Sequence, residues 1–284
     1  MAHKKGGGST RNGPGSDMTD MTAGPWSTVQ RSATPVAPSA IQPSRKVDGQ
    51  LVYAIGDIHG CYDQLRRLLA DISSDAQRHA KGRTATLIFC GDYIDRGPAS
   101  MQVLDALCWL KRHGPFHVHF LKGNHEQVML TYLTDPEAAQ DWMRFGGVQT
   151  LDSYGVTPPS ADDGPERHLA ARDDLLERMP VAHLRFLESL ELMVGIGDFA
   201  FVHAGIRPEI ALADQKEQDL LWIRKGFVDV EAQHERVIVH GHTWADDQPI
   251  MLPHRIGIDT GVYETGVLTA VRIEDDVIDI IATA

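Results

Sequence analysis

From residue 51 onward the chain alternates short apolar runs with amphipathic stretches. Leu51–Ile55 (LVYAI) is an apolar run of the buried-strand type, closed by Gly56-Asp57. Leu65, Leu68, Leu69 and Ile72 then recur at i, i+3, i+4 and i+7, the spacing of one apolar helical face. Thr84–Cys90 (TATLIFC) predicts a second strand, again closed by Gly-Asp, and Val103, Leu104, Leu107 and Leu110 predict a second helix. A third strand, His117–Leu121, runs into Gly123-Asn-His-Glu126. Three strand–polar loop–helix units in succession predict an α/β fold with parallel strands and right-handed crossovers. Ligand sites in such sheets form just beyond the strand C-termini.

Residues 127–198 read as a helical insertion flanking that end of the sheet. Helical patterning occupies Val128–Leu133, Ala138–Phe145 and Leu175–Leu192, interrupted by Gly146-Gly147 and Pro158-Pro159. Strands return at Phe199–His203, Val237–His240, Ile256–Asp259 and Thr265–Ile273, the last with hairpin-like Gly261 and Gly266. Residues 47–284 show no internal repeat or linker and are expected to form one domain.

Residues 1–46 differ in kind. They carry no apolar period and 22 of them are Gly, Pro, Ser or Thr, so burial cannot offset the entropy of ordering them, and a disordered tail is expected. Its start, MAHKKGGGSTRNG, resembles the N-terminal extension of a bacterial large-subunit ribosomal protein, and GPGS at 13–16 resembles a protease-site scar. Both are set apart from the fold.

Charge narrows the function. The 284 residues carry 27 Lys plus Arg against 39 Asp plus Glu, a net −12. The tail holds six basic residues and two acidic ones, so the remainder has 21 against 37, a net −16. Nucleic acid and anionic membrane are therefore excluded as partners, and any anionic substrate requires a local reversal of sign. Cys61, Cys90 and Cys108 fit neither a disulfide framework nor a zinc motif and read as core thiols of a reducing compartment. No apolar run reaches the roughly 18 residues of a membrane span, and no secretory signal opens the chain. A cytoplasmic location is expected.

Five segments place Asp, Asn or His at a strand end with glycine beside it: Asp57/His59, Asp92/Asp95/Arg96, Asn124/His125, His203 and His242. Alone, each is an ordinary turn or a core histidine. Together, in this order, they concentrate oxygen and nitrogen donors where structural turns have no need of them. A mixed Asp, His and Asn set without thiolate suits Mn, Fe or Zn better than Ca. Asp57 and His59, at i and i+2, can reach one ion across a tight turn. Asp92 can bridge to a second ion, completed by Asn124, His203 and His242.

The segments GDIHG (56–60), GDYIDRG (91–97), GNHE (123–126), HAG (203–205) and GHT (241–243) resemble the signature of the phosphoprotein phosphatases among the calcineurin-like metallophosphoesterases. GNHEQ at 123–127 and the short loops are similar to the bacterial and lambda-phage branch. The resemblance implies an α+β sandwich of two mixed β-sheets flanked by helices, with a dinuclear metal site at the strand ends. It implies that Asp57, His59 and Asp92 bind one divalent ion and that Asp92, Asn124, His203 and His242 bind the other. Manganese is the expected metal, with Fe or Zn as alternatives. His125, held by Asp95, matches the general acid. Arg96 and Arg224, the latter in LLWIR, match the phosphate clamp, where a bidentate guanidinium is better suited than an ammonium. Two ions sharing a water can lower its pKa from about 15.7 toward ~7, so direct attack by the resulting hydroxide, without a phosphoenzyme, is expected.

The leading expectation is thus a protein serine/threonine phosphatase acting on a phosphorylated protein or a small phosphoester. The alternative is a symmetrical diadenosine tetraphosphate hydrolase, which GCYDQLRRLL at 60–69 resembles, whereas Tyr93, Asp95 and Glu126 depart from its usual loops. A non-catalytic metal-binding protein is the remaining alternative, disfavoured because a structural metal has no use for His125, Asp95 and Arg96. His240 is expected to pack or support, Glu126 to fix its loop, Asp259 to form a turn or support a ligand histidine, and Trp109 and Trp222 to pack. His117, His119 and His254 are ordinary histidines. Lys122 stands where relatives carry arginine, which removes a third guanidinium contact to phosphate.

Overall fold

A computed structural model describes residues 46–160, 162–232 and 234–283; the tail up to residue 45, with its expected disorder and its resemblances, lies outside them. Strand β1 (Leu51–Ile55) is apolar at every position because both of its faces are covered. Leu51, Tyr53 and Ile55 turn toward helices, while Val52 and Ala54 turn toward a second sheet. Helix α1 (Tyr62–His79) buries Leu65, Leu68 and Ile72 on its apolar face, each contributing about 1.5–3 kcal/mol. Strand β2 (Thr86–Phe89), helix α2 (Ser100–His113) and strand β3 (His117–Phe120) complete the first units, with β1, β2 and β3 mutually parallel.

The insertion carries α3 (Asn124–Thr134), a 3-10 turn at Gln140–Phe145, α4 (Gly147–Ser153), α5 (Pro165–Arg178) and α6 (Val181–Glu188). It leaves and returns at one place: Leu121 bridges Glu191, Lys122 N–H donates to the Glu191 carbonyl at 2.7 Å, and Glu191 N–H donates to the Phe120 carbonyl at 2.9 Å. Strands β4 (Met193–Ile196) and β5 (Phe199–Val202) follow, then α7 (Glu217–Trp222), α8 (Lys225–Val228), β6 (Val237–His240), β7 (Ile250–Met251), β8 (Arg255–Gly257), the helical turn α9 (Val262–Thr265), β9 (Thr269–Glu274) and β10 (Val277–Ala282). One sheet runs β10-β9-β1-β2-β3 and the other β4-β5-β6-β8-β7.

Both sheets are mixed, since β9 is antiparallel to β1 and β4 is antiparallel to β5, while β5, β6 and β8 are parallel. The core between them joins Val52, Ala54 and Ile88 to Phe199, Phe201, Val239 and Ile256. Helices cover the outer face of the first sheet, and Leu220, Ile223 and Phe227 cover that of the second. This is the expected sandwich of two mixed sheets flanked by helices. The three cysteines are free and buried, as read from their spacing. No helix among the described residues is long and apolar enough to cross a membrane.

Several boundaries depart from the periodicity. The stretch Leu175–Leu192 is two helices, because Pro180 disfavours helical geometry at Met179. Ala138–Phe145 forms the tighter 3-10 turn, and Met193–Ile196 inside the insertion is a strand. Thr265–Ile273 is strand only from Thr269; Gly261 and Gly266 bracket α9 instead of closing a hairpin. The hairpin lies one strand later, where Glu274 pairs with Val277 across Asp275-Asp276 and β10 forms an edge that the pattern did not disclose. Trp109 does not pack in the core: it is 57% exposed on α2.

Candidate active site

The parallel strands of both sheets deliver their polar ends to one place. Asp57 and His59 follow β1, Asp92, Asp95 and Arg96 follow β2, and Asn124 and His125 open α3 after β3; His203 and His242 follow β5 and β6. All seven of the Asp, Asn and His residues named here other than Asp95 are buried, and so is Asp95. His59, Asp92, Asp95, Arg96 and His242 have φ of 44, 50, 72, 66 and 63°, and only three other non-glycine residues among those described have positive φ. Such conformations cost about 1–3 kcal/mol each and persist where the surroundings enforce them.

Asp92 is the centre. Its Oδ2 lies 3.6 Å from His59 Nε2 and 3.8 Å from His125 Nε2, and its Oδ1 lies 3.5 Å from His203 Nε2. Its Oδ1 also accepts the His125 backbone N–H at 3.1 Å. Two groups have ligand atoms within 4.8 Å of one another: His59, Asp92 and His125, and Asp92, His203 and His242. The first differs from the expected set by holding His125, whereas Asp57 lies against the other side, its carboxylate accepting the His242 backbone N–H at 3.0 and 3.2 Å. Carboxylates approach backbone this closely because a Cβ on Gly241 would overlap Asp57, and one on Gly123 would overlap Asp92.

The donor chemistry fits divalent cations. His59 Nδ1 donates to the Ile94 carbonyl at 2.9 Å and His203 Nδ1 to the Cys90 carbonyl at 2.7 Å, which leaves each Nε2 bare in the neutral ring. Burial lowers His203 and lowers His59 to about 3, with His125 adding to the effect on His59, so both rings are neutral. The bare Nε2 of His203 then faces Asn124 Oδ1 at 2.9 Å, two acceptors that a cation can reconcile. Both ring nitrogens of His242 are buried without a hydrogen-bond partner among the described residues, and burial, with His203 and Arg224, holds its pKa well below the ordinary value. Burial, Asp259 and Asp92 push Asp57 up. These carboxylates, imidazoles and an amide oxygen form a set suited to hard-to-borderline divalent ions.

His125 and Asp95 come together as expected, Nδ1 donating to Oδ2 at 2.6 Å. Burial opposes a charged His125, but the Asp92 charge and the Asp95 bond prevail and raise its pKa. Sequence reasoning missed what holds Asp95. Trp142 Nε1 donates to its Oδ2 at 2.8 Å, Thr150 Oγ1 donates to its Oδ1 at 2.5 Å, and its own N–H donates to Ser100 and Thr150 hydroxyls at 3.0 and 2.9 Å. Arg96 NH1 donates to the Tyr263 hydroxyl at 3.2 Å, and Arg224 NH1 to Thr243 Oγ1, next to His242, at 3.4 Å.

The secondary readings resolve individually. Glu126 fixes its loop by accepting N–H bonds from Asp92, Tyr93 and Gly123 at 2.8–2.9 Å, while burial and the Asp92 charge push it up to about 8. His240 is buried against Gly241, Arg255 and Phe227. Asp259 accepts the Gly261 N–H at 2.9 Å, a turn bond, and burial raises its pKa to about 7. Lys122 pairs with Glu217 at 3.1 Å, and Trp222 donates to Gln127 at 2.7 Å.

Comparison with known proteins follows the same lines. A bis(5'-nucleosyl)-tetraphosphatase PrpE [asymmetrical] of Geobacillus thermodenitrificans is 27% identical over 77% of this chain and 88% of its own length. A symmetrical bis(5'-nucleosyl)-tetraphosphatase of Methylococcus capsulatus is 34% identical over 55% of this chain and 44% of its own. A solved structure provisionally described as a diadenosine tetraphosphatase superposes with TM-score 0.56 at 21% identity, covering 83% of this chain and 95% of that one, a likeness of fold. The two curated relatives are named as tetraphosphatases, not as the serine/threonine phosphatases that the motifs suggested first. The calcineurin-like phosphoesterase profile matches residues 51–254, the span that carries every strand-end donor described above. The chain accordingly belongs to the calcineurin-like phosphoesterases, metal-dependent hydrolases of phosphate esters.

Proposed function

We propose that this chain is a bis(5'-nucleosyl)-tetraphosphatase, hydrolysing a phosphoanhydride of a dinucleoside polyphosphate. The observation that carries the reading is the similarity to enzymes of that name across 77% of the chain, joined to the resemblance of GCYDQLRRLL, which opens α1.

Asp57, His59, Asp92, Asn124, His203 and His242 would hold two divalent cations, with manganese suited to the donor set, and these would supply Lewis acidity toward water and phosphate. Arg96 and Arg224 hold non-bridging phosphate oxygens and reverse the local sign within an acidic body. His125 keeps a proton on Nε2 while Nδ1 is fixed by Asp95, so it can protonate the departing oxygen as the water oxygen bonds to phosphorus and the anhydride P–O bond breaks. Burial of His125 and Asp95 keeps that proton from bulk water.

The deciding assay offers diadenosine tetraphosphate and phosphoserine, phosphothreonine and phosphotyrosine peptides in parallel, with Mn²⁺ and after chelation. The expected result is kcat/KM for the dinucleotide higher by about 100-fold or more, abolished by chelation. Either product pair, two ADP or ATP plus AMP, supports the reading and names the bond cut. Faster turnover of a phosphopeptide would return the enzyme to the phosphoprotein phosphatases.

A further inference from the structure

The guanidinium of Arg96 is attached to the rest of the site through an aromatic side chain from the other end of the sequence. Its Cζ stands 4.7 Å from the centroid of the Tyr263 ring, and its NH1 donates to the Tyr263 hydroxyl at 3.2 Å. One residue thus offers both a cation–π face and a hydrogen-bond acceptor. The Arg96 backbone is fixed separately, with φ of 66° and its N–H toward the Gly146 carbonyl at 3.4 Å. Tyr263 is itself held on two sides. Its ring meets that of His59 edge-on at 5.1 Å, and the Trp244 indole meets it at 6.1 Å and 89°. The Trp244 indole packs directly over Gly261, where a Cβ would meet it at 2.5 Å, so the turn before α9 sets the height of the platform.

We propose that Tyr263, backed by Trp244, is a positioning residue that orients the Arg96 guanidinium for phosphate. Every torsion of an arginine side chain left free is entropy to be lost when phosphate binds. A guanidinium already stacked and hydrogen-bonded has lost it in advance. The proposal rests on the reading of Arg96 as a phosphate clamp.

The test compares Tyr263→Phe, Tyr263→Leu, Arg96→Ala and the Tyr263→Leu/Arg96→Ala pair, measuring KM and kcat on diadenosine tetraphosphate, inhibition by inorganic phosphate, and bound metal. Tyr263→Leu is expected to raise KM and the phosphate inhibition constant by about 10- to 50-fold, and Tyr263→Phe, which keeps the ring face, by about three- to tenfold. Neither should change metal stoichiometry, and Tyr263→Leu should add almost nothing in the Arg96→Ala background. An Arg96→Ala variant with unchanged KM and phosphate inhibition overturns the clamp reading and the proposal with it. A normal Arg96→Ala effect with a full additional loss in the double variant overturns the proposal alone. Metal loss in Tyr263→Phe does so too, by assigning Tyr263 to the support of His59.

Discussion

Trp142 donates its indole N–H to Asp95 Oδ2 at 2.8 Å, across 47 residues of chain. The same oxygen receives His125 Nδ1, so the indole fixes the lone-pair direction along which the imidazole is aligned. Trp142→Phe retains most of the packing against Tyr132 and removes the donor. We expect kcat to fall by about tenfold with KM little changed. The loss should be larger on alkyl phosphates than on a dinucleoside polyphosphate, because an alkoxide needs the proton more than a phosphate leaving group does. Steady-state kinetics on both substrates check it, and equal kcat in wild type and variant would contradict it.

Asp92 belongs to both donor groups, whereas Asp57 belongs to neither and accepts the His242 backbone N–H. Asp92→Asn should therefore deplete metal from both positions and reduce activity by about 100-fold or more, while Asp57→Asn keeps close to one equivalent. Metal analysis of the purified variants decides it; matched stoichiometry in the two would remove Asp92 from its bridging place.

Away from the site, Asp75 on α1 accepts hydrogen bonds from Tyr53 at 2.8 Å and from Arg272 of β9 at 3.0 Å. Burial works against its charge, but these two partners hold its pKa below the ordinary carboxylate value. A carboxylate lowered in the folded state stabilises fully above its unfolded pKa of about 3.9, and the gain disappears as pH falls through the folded value. Asp75→Asn should cost about 1–2 kcal/mol at neutral pH, Arg272 keeping its pairing with Asp279, and the difference should shrink as pH falls below about 4. Urea unfolding across that range measures it, and a constant difference would assign the cost to packing.

Much of this architecture was legible because its signals are local. The strand β1 is five apolar residues in a row, and the face of α1 repeats at helical spacing. Asp57, Asp92 and Asn124 each sit where a glycine ends a strand, so a site at the strand ends followed from the order of the motifs. What stayed hidden depends on contacts between distant segments. Nothing in the period around Trp142 or Thr150 points to Asp95, 47 and 55 residues away. Tyr263 meets Arg96 across 167 residues. The edge strand β10 alternates weakly because both of its faces are only partly covered, Ile278 against the inter-sheet core and Ile281 against the helix side. Substrate class was illegible for a different reason: the clamp and the general acid serve any phosphate ester, and the leaving group is chosen by surfaces around them.

The bridge between Leu121 and Glu191 closes the helical insertion into a ring whose two ends meet at one pair of hydrogen bonds. Closing a longer or shorter ring at the same clasp costs little, since loop entropy grows only with the logarithm of length. The part of the insertion beyond α3 is thus an exchangeable cassette: the sheets, their polar ends and the Asn124-His125 start of α3 stay the same whatever is threaded through the rest of the clasp. Its contents are nonetheless felt in the chemistry, because Trp142 and Thr150 ride on it and grip Asp95. Swapping only the part of the cassette that follows α3 would retune proton delivery without touching a metal ligand, a route by which one hydrolytic centre can be adapted to leaving groups of different basicity.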